Sequence, residues 1–228
     1  MRASRRSIAA AACWVALAAG CGGGEDVAAP AAGDGTLGVP SGTYAVDKTH
    51  TYVTFSYLHQ GLSYPLIRAT GVDGELELDA EDLEQSAASI AIQVDSIRTN
   101  TDYFDKELAS PKFFNAAKFP YISFTSDNYE ATTDTAGKLH GHVTIRGITR
   151  PLSLTVTING AMQNPITKKP VVGISAHGSL NRSDFELDRF IPAVADQVDI
   201  AVEAEFAAGS SDQSAAAAAL AREAASSD

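Results

Sequence analysis

Between Lys138 and Ile158 an apolar residue falls at nearly every second position, twice over. Leu139, Gly141, Val143 and Ile145 form one row, and Leu152, Leu154, Val156 and Ile158 form the other. The segment Arg146-Gly147-Ile148-Thr149-Arg150 lies between them as a turn. Side chains alternate across a strand, so this segment predicts a β-hairpin with one apolar face and one face of Lys, His, Thr, Arg and Ser. A chain carrying such a hairpin must bury its greasy face against more sheet.

The same period of two recurs and gives eight expected strands. Val53, Phe55 and Tyr57 share a face in the first, Val72, Gly74, Leu76 and Leu78 in the second, and Ile90, Ile92 and Val94 in the third. Ile122 and Phe124 mark the fourth, and the hairpin supplies the fifth and sixth. The seventh carries Val172, Ile174, Ala176, Gly178 and Leu180, and the eighth Val198, Ile200, Val202, Ala204 and Phe206. Between the third and fourth the period changes. Thr101-Asp102 caps a short helix through Leu108, and Pro111 starts another turn at Lys112-Phe113-Phe114. The expected fold class is all-β: an eight-stranded antiparallel barrel with a short helical insert between strands 3 and 4. Closure is favoured over an open sandwich because long exposed edges invite aggregation.

The two ends of the chain read differently. Arg2, Arg5 and Arg6 precede an apolar run from Ile8 to Ala19, the pattern of a secretory signal over residues 1–20 and too short to span a bilayer comfortably. Leu17-Ala18-Ala19-Gly20-Cys21 resembles a bacterial lipobox, with Ala18 where leucine is usual. Lipidation of Cys21 and ordinary signal cleavage nearby are both compatible with it. A lipidated Cys21 would anchor the protein on a membrane of the bacterial cell envelope. Residues 21–41 read as a flexible Gly/Ala/Pro linker, residues 42–206 as the barrel domain, and residues 207–228 as a disordered Ser/Ala-rich tail. Cys13 belongs to the signal, so the exported domain has no disulfide and depends on its core. Once the three signal arginines are gone, 14 basic residues face 28 acidic ones, which argues against a nucleic-acid partner.

An eight-stranded barrel is either filled by its own side chains or holds one small ligand. Gly74, Gly141, Ala176, Gly178 and Ala204 lie on the expected inner rows, where a filled barrel wants bulk. Two explanations stand: a real cavity, or small residues fitted to the taper and bends of the strands. The inner rows hold no charge, and Tyr57 is their only polar residue. A ligand there must be largely hydrocarbon, because a buried polar atom without a partner costs several kcal/mol.

Several segments also carry a family likeness: Asp47-Lys48-Thr49-His50-Thr51-Tyr52-Val53-Thr54-Phe55, Leu108-Ala109-Ser110-Pro111-Lys112-Phe113-Phe114-Asn115, Phe119-Pro120, the hairpin from Gly141 to Leu152, and Asn181-Arg182-Ser183-Asp184-Phe185. In this order, over Gly42 to Phe206, the chain resembles the YceI family of lipocalin-like, polyisoprenoid-binding proteins. One stretch departs from it: Leu62-Ser63-Tyr64-Pro65-Leu66-Ile67-Arg68 does not match the usual segment after the first strand. The resemblance implies a barrel enclosing a long isoprenoid chain, with no enzymatic activity and no cofactor required. The expected ligand contacts are Phe55, Tyr57, Leu76, Ile92, Phe104, Phe113, Phe114, Phe124, Val143, Leu154, Ile174, Ala176 and Phe185.

Each remaining candidate has a functional and a plain reading. Phe113 and Phe114 line the pocket or simply pack on the barrel, and Phe190 flanks the last loop. Arg98 and Arg182 either meet a phosphate head at the mouth or pair with acids such as Asp95 and Asp184. His140 and His142 share the outer strand face, where solvation explains them better than a metal lacking a third ligand. Ser175, in Gly173-Ile174-Ser175-Ala176-His177-Gly178, faintly echoes a nucleophile elbow, but in a mid-strand setting.

Overall fold

The computed structural model describes residues 37–209. The expected signal, Cys21, most of the linker and the tail beyond Gly209 lie outside the described residues. Eleven strands and one helix follow in order: β1 (Gly42–Val46), β2 (Tyr52–Ser56), β3 (Leu66–Ala69), β4 (Val72–Leu78), β5 (Ala87–Gln93), β6 (Ile97–Arg98), α1 (Asp102–Ala109), β7 (Tyr121–Thr133), β8 (Ala136–Ile145), β9 (Ile148–Gln163), β10 (Pro170–Asn181) and β11 (Gln197–Ala208).

The strands β1-β4-β5-β7-β8-β9-β10-β11 hydrogen-bond in that order, and β11 pairs back onto β1, which closes an eight-stranded antiparallel barrel. Three of its staves are broken. β2 continues β1 beyond a polar break at Asp47–Thr51 and pairs with β11 and β3. β3 leads into β4 across Thr70-Gly71, and β6 follows β5 after a 3₁₀ turn at Val94–Ser96. Each of the eight expected strands overlaps an observed one, but Tyr57 falls just past the end of β2 and Val94 lies in the 3₁₀ turn after β5. β1, β3 and β6 were not expected, because segments of five, four and two residues carry too few alternations to stand out.

The hairpin forms β8 and β9, with Leu139 opposite Leu154 and Gly141 opposite Leu152. Its turn is tighter than the five residues expected. Only Arg146 and Gly147 lie outside the strands, with φ of 56° and 75°, and Ile145 pairs directly with Ile148. Both turn residues at positive φ match the twist of the flanking strands. The outer face of β9 and β11 shows Thr155, Thr157, Glu203 and Glu205, while Val156, Ile158, Ala204 and Phe206 are buried within. Polar outside and apolar inside is the reverse of a membrane-spanning barrel.

The folded unit reaches slightly beyond residues 42–206. Val39 is buried, the Tyr44 hydroxyl donates to Pro40 O at 2.6 Å, and Ala80 N donates to Ser41 Oγ at 2.9 Å. β11 runs on to Ala208 because its last residues still have β10 and β1 to pair with.

Candidate functional site

The barrel encloses a cavity of about 630 Å³ that runs through its interior. At one end Val46, Leu78, Val172 and Phe206 line it and are buried, backed by Tyr44, which is 1% exposed. At the other end the exposed lining residues Leu66, Asn100, Thr101, Arg189 and Phe190 gather around an opening. The sheet explains the opening: β6 pairs with β3 alone, so the sheet parts from β7 there, and residues 99–120 fill the gap.

That insert is built as its residues dictate. Thr101 caps α1 by accepting a hydrogen bond from Phe104 N at 3.3 Å. The Thr99 hydroxyl and amide both donate to Asp105. These two bonds, the Thr99 hydroxyl first and its amide second, hold the Asp105 carboxyl below its ordinary range. Phe104 and Phe113 meet edge to face, with centroids 6.2 Å apart and planes at 89°. The hairpin tip pins the insert in place: Arg146 donates to Phe113 O and reaches Glu186 at 3.5 Å, and Phe119 lies against Gly147.

Of the expected contacts, Phe55, Tyr57, Leu76, Ile92, Phe104, Phe113, Phe114, Phe124, Val143, Leu154, Ile174 and Ala176 line the cavity. Phe185 does not. It ends the 3₁₀ turn Arg182–Phe185, is 1% exposed, and packs into the protein core rather than against the space. Phe190, at φ 67° and 60% exposed, stands at the rim instead.

The inner glycines tell against part of the sequence argument for a void. A Cβ on Gly74, Gly141 or Gly178 would sit 2.7–2.8 Å from Ile90 Cδ1, Phe124 Cζ or Leu154 Cδ2. Neighbouring side chains already cover these glycines, so their smallness serves close packing and not empty space. Ala176 and Ala204, by contrast, do border the cavity.

The lining includes no Asp, Glu or Lys; its charge comes from Arg182 and Arg189, both at the open end. Neither arginine expected at the mouth is free for a ligand. Arg98 donates to Asp95 O at 2.7 Å, approaches Asp105 at 4.0 Å, and is not part of the lining. Arg182 spends its fork on four carbonyls, those of Ala195, Leu187, Arg189 and Val194, and not on Asp184. Burial lowers its pKa, and burial likewise raises that of the neighbouring Tyr57 phenol. Arg182 thus gathers the loop 182–196, which presents Arg189 with its guanidinium 5.1 Å from the Phe190 ring and 5.7 Å from Phe113. The sequence offered no signal for Arg189 beyond its place next to Phe190.

The remaining candidate polar groups find partners on the outer face, although His140 Nε2 is buried without a hydrogen bond among the described residues. His142 meets Asp127 at 2.8 Å, and His140 meets Ser153 at 2.8 Å and Glu130 at 3.5 Å. Ser175 donates to Glu203 at 2.5 Å and accepts from Asn159 at 2.8 Å in the middle of β10, with no sharp strand-to-helix turn. Asp47, His50 and Glu205 cluster on the surface at the β1–β2 break, joined as an ion-paired group.

Known proteins give a consistent comparison. Protein YceI of Salmonella arizonae is 28% identical over 164 residues, covering 71% of this chain and 85% of that protein. The structure of BcnA from Burkholderia cenocepacia superposes with a TM-score of 0.62 at 20% identity, covering 70% of this chain and 98% of that one. A polyisoprenoid binding domain from Saccharophagus degradans, implicated in plant cell wall breakdown, gives 0.55 at 12% identity, covering 73% and 98%. At such identities the two structures speak for the fold. The profile of the YceI-like domain matches residues 44–206, and the chain belongs to that family.

Proposed function

We propose that this protein binds a long apolar, isoprenoid-like lipid inside the barrel and carries or stores it without any enzymatic step. The carrying observation is the cavity of about 630 Å³, walled along the staves mostly by Val, Leu, Ile, Phe and Ala side chains, with Thr51, Tyr57, Ser123 and Tyr129 as polar exceptions. A hydrocarbon guest forfeits no hydrogen bonds by entering such a space, whereas a polar one gives up its hydrogen bonds to water. Each five-carbon unit buried contributes up to about 4 kcal/mol before ordering costs. The cavity is open at one end, so its volume sets no upper limit on the length of the guest. A chain longer than the cavity would leave its remainder at the open end. The likeness to the polyisoprenoid binding domain of Saccharophagus degradans supports an isoprenoid guest.

A barrel filled by its own side chains, serving as a surface interaction module, is the second reading. The cavity speaks against it. Native mass spectrometry of protein extracted gently from its own membranes separates the two. A one-to-one lipid adduct is expected, and a clean ligand-free mass would refute the carrier.

Export and anchoring complete the proposal: the signal is removed, Cys21 is lipidated, and the linker tethers the barrel to a membrane of the bacterial envelope. Val39 packs at the closed end, so the tether enters opposite the mouth. The mass of the N-terminal peptide tests this directly. Acyl chains on Cys21 are expected; an unmodified N-terminus at another residue would remove the anchor.

A further inference from the structure

The large apolar side chains left in solvent are not spread evenly over the barrel. Leu62, Tyr64 and Leu66 are 81%, 66% and 65% exposed, and Phe190 and Ile191 stand out beside them. Apart from Leu66, which opens β3, they come from two loops that are bonded to each other. Gln60 N donates to Ala193 O at 2.8 Å, Ala195 N donates to Leu58 O at 2.9 Å, and His59 bridges to Val194. Arg182 holds the second loop from within, so the arrangement is fixed rather than loose. Leu66 and Phe190 also line the mouth of the cavity, which makes the rim and the interior one continuous apolar surface.

We infer that this rim docks on a lipid bilayer surface, so that the open end of the barrel faces hydrocarbon and the guest passes between membrane and cavity without crossing water. Exposed apolar surface of this extent marks an interaction site. Charge points to the kind of partner. The chain holds 28 acidic residues, yet residues 57–68 contain none and carry Arg68, and the tip of the second loop, 189–195 between Asp188 and Asp196, carries Arg189. Each guanidinium stacks on an aromatic ring, Arg68 on Tyr52 at 4.7 Å and Arg189 on Phe190 at 5.1 Å. Apolar side chains interleaved with tyrosine and arginine suit the boundary where lipid phosphates meet acyl chains. A second copy fits worse, because a twofold contact would set each rim against the same arginines. The overall charge of −11 favours a zwitterionic bilayer over a strongly anionic one.

What passes through the mouth rests on the lipid-carrier reading, but docking is measurable without any guest. The chain's one tryptophan, Trp14, falls in the expected signal and outside the described residues, so Trp14→Phe silences the background in any protein that retains it. In the full chain, Leu62→Trp or Phe190→Trp then reports the rim, and Ile166→Trp, 88% exposed at the closed end, serves as control. With vesicles of phosphatidylcholine carrying brominated acyl chains, both rim reporters shift to the blue and are quenched, while the reporter at position 166 is not. Adding Leu62→Ser and Leu66→Ser to the Phe190→Trp reporter lowers rim insertion by about a hundredfold, at about tenfold per apolar side chain withdrawn, with thermal unfolding unchanged. Quenching absent at the rim, or equal at position 166, overturns the inference. So does a blue shift without vesicles accompanied by a doubled mass, which would assign the rim to a second copy. Rim quenching in a protein that never yields a lipid adduct would leave docking in place and remove the carrier.

Discussion

The two ends of this barrel are made from the same sheet and behave in opposite ways. At the closed end β1 inserts between β4 and β11, every stave finds two neighbours, and Tyr44, Val172 and Phe206 fill the interior. At the open end the staves are interrupted, β6 has β3 as its only strand neighbour, and a helix with two bonded loops stands where sheet would otherwise be. Continuous pairing brings side chains close enough to exclude everything else. Where pairing lapses, the irregular segments need anchors of their own, supplied here by Arg146, Arg182 and the Phe104–Phe113 contact. One end gives rigidity and the other gives access.

The largest effect expected comes from erasing the difference between the ends. Ala176→Phe adds an aromatic ring inside the cavity, between neighbours Val156 and Val202. It should weaken uptake of a fluorescent prenyl probe by about a thousandfold, the loss of roughly one isoprene unit's contacts, while thermal unfolding stays put. Undiminished uptake would mean that the guest sits elsewhere.

Loosening the open end alone should cost next most. Arg182→Met removes the donors to four carbonyls and is expected to destabilise the protein by about 3 kcal/mol. Hydrogen exchange locates the damage: the Gln60 and Ala195 amides, which join the two rim loops, should exchange faster while the Ala204 and Phe206 amides of β11 keep their protection. Phe113→Ala breaks the edge-to-face pair in the insert at about 2 kcal/mol, a fall of roughly 4–8 °C in unfolding midpoint.

Two smaller tests probe the closed half. The Tyr129 hydroxyl is buried without a partner among the described residues, its ring lying over Gly137. Tyr129→Phe should therefore be neutral or add up to about 1 kcal/mol of stability. His50 has its pKa raised above 6.5, first by its hydrogen bond to Asp47 and then by the charges of Asp47 and Glu205. A raised histidine pKa adds stability below its unfolded value and loses it as pH climbs through the folded one. Ring chemical shifts followed by NMR should show titration above 6.5 in the native protein and a return toward it in Asp47→Asn.

How much of this was legible in the sequence divides along the same line. The β8–β9 hairpin and the long strands β10 and β11 announce themselves, because burial of one face forces strict alternation. β1, β3 and β6 do not: a strand of two to five residues between polar breaks is specified by its neighbours' pairing and not by its own pattern. Thr101 and the aromatic insert were readable through capping and change of period. The two rim loops were not. Phe185 and Phe190 look interchangeable in sequence, and only the turn at Arg182–Phe185, with Phe190 at positive φ, sends one into the core and the other to the rim. For Arg182 the sequence offered a phosphate or Asp184 as partner, and it cannot reveal the four carbonyls that take the guanidinium instead. The inner glycines suggested a void that Ile90, Phe124 and Leu154 fill, so the cavity was expected partly for a mistaken reason.

A crystal structure of the protein isolated from the cells that make it, refined before any ligand is added, addresses the lipid-carrier reading most directly. A filled carrier gives continuous, elongated electron density running from Phe190 past Ala176 toward Val172. Density for collapsed side chains or a chain of ordered waters along that path would contradict it.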